Sequence, residues 1–210
     1  MVVKRVAVLS AVALLITLLA SCGSSVGNER VLISSDRDGD SEIYVMNVDG
    51  SGLLQLTKNE VEDRDPSWSA ERQKIVFVSD RDSSFAVYSM NIDGSEVEKV
   101  TNSDEVELDP DWSPDGRAIT LVRQRQGEVA LLVIDLDSYL EHRIDLGKEV
   151  NWFQDGPDWS PDGQEIAFFS DRDGDLEIFV VEADGSQIRQ LTDNDDRDLY
   201  PLWSPDGQEI

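Results

Sequence analysis

The stretch SDRDGDSEIYVMNVDGS at residues 35–51 returns, 135 residues later, as SDRDGDLEIFVVEADGS at residues 170–186. Asp-x-Asp-Gly-Asp could be a cation loop or an acidic hairpin turn, and the flanking residues decide between them. EIYVMN and EIFVVE are rich in β-branched and aromatic residues. Each runs into an Asp-Gly turn followed by LLQLT or IRQLT. That is strand, tight turn, strand.

Working outward, the same register recurs in four places. Trp68, Trp112, Trp159 and Trp203 stand in PSWS, PDWS, PDWS and PLWS, spaced 44, 47 and 44 residues apart. Asp49, Asp93, Asp137 and Asp184 step by 44, 44 and 47, as do Asp36, Asp80, Gln124 and Asp171. Three markers in one register define a repeat. Within it, Ser-Pro-Asp-Gly suits a type I turn, with Pro fixing φ at the second position and Gly last. QEIAFFS and KIVFVS then supply a second strand. Four short strands joined by tight turns make one unit, and no helical periodicity appears after residue 22. The expected fold is all-β: a β-propeller of four-stranded antiparallel blades, with about four repeats present. The units run over about 31–66, 67–110, 111–157 and 158–201, with a partial one at 202–210. SDRDGD becomes the hairpin between the second and third strands of a blade, related to SDRDSS at Ser79 and RQRQGE at Arg123.

The composite P-x-W-S-P-D-G-x-x-I-x-F-x-S-D-R-D-G-x-x-x-I-Y resembles the WD40-like repeat of the TolB family of propellers, over residues 31–210. The resemblance implies a periplasmic, non-catalytic propeller that binds a protein or envelope component and needs no cofactor. It also implies six blades following an α/β domain, and this sequence shows neither. The third unit, VRQRQGEVALLVIDLDSYLEHRIDLG, lacks the acidic hairpin and the Leu-Thr ending, and the first turn is degenerate at WSAER. The first unit begins at its second strand, VLISS (31–35). Two arrangements follow: the strand at 199–204 pairs with Val31–Ser35 and closes four blades, or the chain is part of a longer, six-bladed propeller. The stop three residues into the strand that begins QEI favours the second.

Ahead of the repeats, MVVKR precedes an apolar run from Val6 to Leu19 broken only by Ser10 and Thr17. The run falls short of the roughly 20 residues a membrane span needs and fits the h-region of a signal peptide. It ends in LASC, which resembles a lipoprotein lipobox, with Cys22 the only cysteine of the chain. Residues 1–21 are thus read as a signal peptide, Cys22 as the lipid attachment, and 22–30 as a tether. The protein is expected to be exported and held at a bacterial membrane by its lipid.

The chain carries 44 acidic and 18 basic side chains, a net charge of −26. Nucleic acid is excluded, because phosphates demand a basic face. A protein partner with a basic surface is favoured. In each blade the hairpin between strands two and three shares a side with the loop leading to the next blade. That side collects the acids, and loops on a rigid scaffold usually carry binding. The candidate partner-binding residues are Asp63, Asp65, Glu107, Asp109, Asp195, Asp196 and Asp198. Trp152 and Phe153, in the expansion of the third unit, are a candidate aromatic anchor. Calcium at Asp36, Asp38 and Asp40, or at Asp171, Asp173 and Asp175, is the weaker reading. The loop lacks the EF-hand spacing, and Arg37, Arg81, Arg125 and Arg172 recur inside it. Those arginines are expected to fork onto an acid of a neighbouring loop such as Asp65, Asp109 or Asp198. The four repeat tryptophans are read as packing residues and His142 as solvent-facing. Two other functions compete: the propeller of a prolyl-oligopeptidase-type hydrolase, and a glycan or small-ligand binder. No Gly-x-Ser-x-Gly elbow or zinc-type cluster supports catalysis within these residues.

Overall fold

Alternating runs such as KIVFVS and EIFVVE need two flanking strands to satisfy their backbone groups, and the Asp-Gly and Ser-Pro-Asp-Gly turns bring those strands together. A computed structural model describes residues 17–19, 30–148, 156–172 and 174–210. Cys22, Trp152, Phe153 and Asp173 lie outside the described residues. Four four-stranded antiparallel sheets are built in sequence, each a blade. The first holds β1 (Thr17–Leu19), β2 (Arg30–Ser35), β3 (Glu42–Asn47) and β4 (Leu54–Gln55). The second holds β5 (Asp63–Ser69), β6 (Lys74–Ser79), β7 (Ala86–Asn91) and β8 (Glu98–Lys99). The third holds β9 (Val106–Trp112), β10 (Ala118–Arg125), β11 (Glu128–Asp135) and β12 (Glu141–Lys148). The fourth holds β13 (Asp158–Trp159), β14 (Glu165–Ser170), β15 (Glu177–Glu182) and β16 (Arg189–Gln190). The blades form two units, residues 1–104 and 105–210.

In the first unit, Leu32, Ile43 and Val45 of one sheet pack with Trp68, Ile75, Phe77 and Met90 of the next. In the second, Val122, Leu131, Ile144 and Leu146 pack with Trp159, Ile166, Phe168 and Phe179. Alternate residues of the middle strands enter these layers, as the two-residue side-chain period requires. Trp68, Trp112 and Trp159 are buried, and Trp203 is half-buried. The Ser-Pro-Asp-Gly turns are alike. Gly116, Gly163 and Gly207 each donate to the serine carbonyl at 2.9 Å, with φ near +70°. In each turn the serine hydroxyl donates to the aspartate, for instance Ser160 to Asp162 at 2.7 Å.

Two expectations about the ends change. The first blade does not lack its innermost strand: Thr17–Leu19 pairs with Arg30–Leu32. This strand lies within the segment read as a signal peptide, and it takes the edge that ring closure by 199–204 would have used. Residues 199–204 form no strand. The Ser204 N–H donates to the Glu209 carbonyl, the bond that opens the corresponding pairing in the fourth blade.

Candidate functional site: the acidic loops

In the first and fourth blades the acidic loop is organised by a buried carboxylate at the start of the third strand, Glu42 and Glu177; in the second blade Ala86 stands there. Glu42 is 1% exposed, and its carboxylate accepts the Asn59 N–H at 2.5 Å. Burial pushes Glu42 above the usual carboxylate range, against the pull of bonds from Thr57 and Asn59, and nearby Asp63 and Asp40 add to the rise. The Thr57 hydroxyl accepts the Ile43 N–H at 2.9 Å. Asn59 then turns the loop: its carbonyl oxygen accepts the Val61 N–H at 2.8 Å and its amide donates to Asp63 at 2.7 Å. The fourth blade repeats this. Glu177 accepts the Asn194 N–H at 2.9 Å and the Thr192 hydroxyl, and Thr192 accepts the Ile178 N–H at 2.9 Å. Asn194 accepts the Asp196 N–H at 2.7 Å and donates to Asp198 at 2.8 Å. The loops are acidic, but their shape is set by Glu, Thr, Asn and Asp in fixed order. The sequence carried this signal as Thr-x-Asn at 57–59 and again at 192–194, and the sequence reading passed over it.

Several acids expected to meet a partner are interior. Asp63 and Glu107 are fully buried and Asp109 is 9% exposed, so none can form a docking face; this corrects their assignment. The reason is charge pairing. Arg81 Nη2 donates to both Asp63 oxygens at 3.0 and 3.1 Å, while its Nε donates to Ser79. Asp63 stands directly across the ladder from Ser79, two residues before Arg81. Asp65, the acid expected there, lies on a bulge at φ 53° that breaks the register, and it is half-buried beside Arg64. In the third blade Arg123 faces Glu107 across the ladder and binds it at 2.7 Å, reaching Glu141 at 2.9 Å as well. Arg125 meets Glu105 at 3.0 Å, not Asp109. Arg172 donates to Ser170 and to the Asp145 carbonyl, not to Asp198. Arg37 donates to Ser35 and lies 4.7 Å over the Tyr44 ring.

The Asp-x-Asp-Gly segments themselves are hairpin turns. Gly39 and Gly174 donate to the Asp36 and Asp171 carbonyls at 3.1 and 3.0 Å. Asp38 accepts the Gln55 amide at 2.7 Å, and Asp82 accepts the Tyr88 hydroxyl at 2.6 Å. The Tyr88 bond, with Lys99 and Arg81 nearby, holds Asp82 below its ordinary value. Burial and then the Asp82 bond push Tyr88 well above its own. Asp40 and Asp175 stand beside these turns, and among the described residues no group of three His, Cys, Asp or Glu is arranged to hold a metal ion. Between the blades, Glu60 and Asp104 stay exposed in the first unit and Asp193, Asp195 and Asp196 in the second, and the hairpins add Asp36, Asp38, Asp82 and Asp175. Asp198 is half-buried.

A family model described as the TolB beta propeller domain matches residues 19–149 and 146–210. Among curated proteins nothing matches. A putative TolB from Agrobacterium tumefaciens is similar in structure, with TM-score 0.69 and 27% identity over 86% of this chain and 68% of that one. TolB from Acinetobacter baumannii aligns with TM-score 0.68 and 20% identity, over 82% of this chain and 43% of that one. This chain thus spans less than half of the Acinetobacter protein. A puromycin-hydrolyzing peptidase of Mycobacterium tuberculosis shares the fold at TM-score 0.62 and 14% identity, covering 84% of this chain and 29% of its own.

Proposed function

This chain belongs to the TolB β-propeller domain family, and from that premise we propose that it is a non-catalytic, exported scaffold that binds a protein partner through its acidic loops. One observation carries the reading: Glu60, Asp195 and Asp196 are exposed on loops whose backbone N–H groups are held by the side chains of Glu42, Asn59, Glu177 and Asn194. Such a display loses little freedom on binding, so its charge can steer a basic surface at small entropic cost. Lipid on Cys22 would hold the scaffold at the membrane. Metabolic labelling with a radioactive fatty acid checks this, and Cys22→Ser should abolish the label.

Photo-crosslinking residues at Glu60 and at Asp196 test the scaffold reading in the cell envelope. Each should capture a basic protein, with a yield that falls as salt rises, since exposed charges are screened beyond about 8 Å at physiological ionic strength. A crosslinker at Asp137, on the opposite, turn side of its blade, should capture nothing. Asp195→Lys with Asp196→Lys should remove the product. Equal capture from both sides, or a salt-insensitive product, would defeat the proposal. The likeness to a peptidase propeller supports a second reading, a hydrolase's substrate-guarding domain. A Gly-x-Ser-x-Gly elbow encoded past Ile210 would favour it.

A further inference from the structure

The chain enters the first blade at a defined end. Arg30 stands across the ladder from Asn47, beside the Asp49–Gly50 turn, and Ser35 stands across from Glu42, beside the acidic hairpin. Leu19 is also paired with Arg30, so both ends of the connection that carries Cys22 lie at the turn end of the blade. Arg30 is eight residues after Cys22. A Gly/Ser-rich tether of that length spans about 16 Å and reaches about 28 Å at most. The acidic hairpin stands at the other end of the six-residue β2, about 17 Å further on. At the turn end, Val48, Leu53 and Leu54 are 45, 42 and 53% exposed. This tip carries one charge, Asp49, which already accepts the Ser51 N–H at 2.9 Å and the Ser51 hydroxyl at 2.6 Å. The matching tips carry more: Asp93, Glu96 and Glu98 in the second blade, Asp184 and Arg189 in the fourth. The tip is also held in shape. The Asn47 N–H donates to the Ser51 carbonyl at 2.8 Å, Gly50 donates to the Asn47 carbonyl at 2.9 Å, and the Asn47 side-chain amide donates to the Ser51 hydroxyl at 3.0 Å.

An apolar tip beside a lipid-bearing tether fits a bilayer surface. We propose that the turn end of the first blade docks on the membrane, with Val48, Leu53 and Leu54 among the headgroups and the acidic hairpin held outward. The proposal rests on the lipid at Cys22. Leu54 pairs with Val45, and successive residues of a strand point to opposite faces, so Leu53 and Leu54 put apolar surface on both sides of the tip. A protein surface laid against one side would cover only one of them, whereas lipid surrounds both. Arg30, exposed at the same end, can lay its stem along apolar surface and reach a lipid phosphate. Three aliphatic side chains hold a free protein weakly, but a lipid that keeps them at the surface makes their insertion intramolecular. The net charge of −26 selects a zwitterionic surface over an anionic one.

Cys22 is the only cysteine of the chain, so a thiol introduced elsewhere in the lipidated protein takes a single bimane label. Leu53→Cys and Glu60→Cys, purified with the lipid in place, labelled, and reconstituted into phosphatidylcholine vesicles carrying nitroxide-labelled lipid, test the proposal. Bimane at position 53 should shift to the blue and lose most of its emission to the nitroxide. Bimane at position 60, at the acidic end, should keep its emission. Val48→Asp with Leu54→Asp should restore the emission at position 53 while the protein still floats with the vesicles, and surface changes of this kind cost little stability. A chain that floats and carries lipid by mass spectrometry, yet shows no quenching at position 53, overturns the docking and leaves the anchor intact. Equal quenching at both positions, or quenching at position 53 that survives the double substitution, overturns it too. A chain that carries no lipid on Cys22 and does not float defeats the anchor itself, and the docking with it.

Discussion

The second and third blades solve one electrostatic problem in two ways. Both bury an acid five residues before their tryptophan, Asp63 before Trp68 and Glu107 before Trp112. In the second blade the cross-strand neighbour is Ser79, and the guanidinium comes from the hairpin, Arg81, reaching back two residues. In the third, the neighbour is itself an arginine, Arg123, and the hairpin's Arg125 is released to Glu105 near the surface. The conserved element is a buried carboxylate with a guanidinium on it. The position of the arginine is negotiable. An arginine that recurs in register across repeats therefore need not do the same work in each.

The sharpest way to break this comparison is at Asp63. Asp63→Ala leaves Arg81 and the Asn59 amide without their shared acceptor and should cost about 3 kcal/mol in chemical denaturation. Asp65→Ala, two residues on, should cost less than about 1 kcal/mol. Equal costs would mean that the two acids are not divided into interior and surface roles. Next come the arginines. Arg81→Ala also loses the contacts over Tyr88 and Phe77, at 4.7 and 5.4 Å, and should cost about 2 kcal/mol. Arg125→Ala, 64% exposed, should cost no more than about 0.5 kcal/mol. Glu107→Gln should resemble Arg81→Ala; a neutral outcome would show that Arg123 is content with Glu141 alone.

A smaller effect is expected in the loops. Asn194→Ala removes the acceptor for Asp196 and the donor to Asp198, for about 1 kcal/mol, and should raise hydrogen exchange across 193–198. The smallest effect is on pH dependence. A carboxyl raised in the folded state stabilises the fold below its unfolded value near 4.5. That contribution is lost as pH rises through the higher folded value. Relative to Glu42→Gln, the native chain should therefore gain thermal stability as pH falls from 7 toward 4.5. A difference that is flat with pH would show that burial does not perturb Glu42.

The blades were legible in the sequence because their signals are local. Pro-Asp-Trp-Ser, Ser-Pro-Asp-Gly and Asp-Gly act through φ preferences and side-chain bonds over four or five residues, and period-two apolar runs report burial directly. Which acids lie inside was not legible. Asp63 and Asp65 are identical in chemistry and two residues apart. Only the bulge before Pro66 decides that the first faces the hairpin and the second does not. The site was read as a field of equivalent charges for the same reason: composition counts carboxylates, whereas the structure gives Glu42, Asp63, Glu107 and Glu177 donors of their own inside the fold. The length of β12 also escaped, since EHRIDLGK has no strong strand signature and is held by its pairing with EVALLVID.

The chain of bonds from Glu42 through Thr57 and Asn59 to Asp63 begins in one sheet and ends in the next, and the one from Glu177 runs on to Asp198, past the fourth sheet. The heritable module is then the joint between blades, not the blade. A gene duplication that copied from mid-sheet to mid-sheet would carry each joint intact, whereas one that cut at the sheet borders would split it. The same logic guides where the chain can be opened: new termini at the exposed Asp49–Gly50 turn leave every joint whole, and new termini between Asn59 and Glu62 sever one.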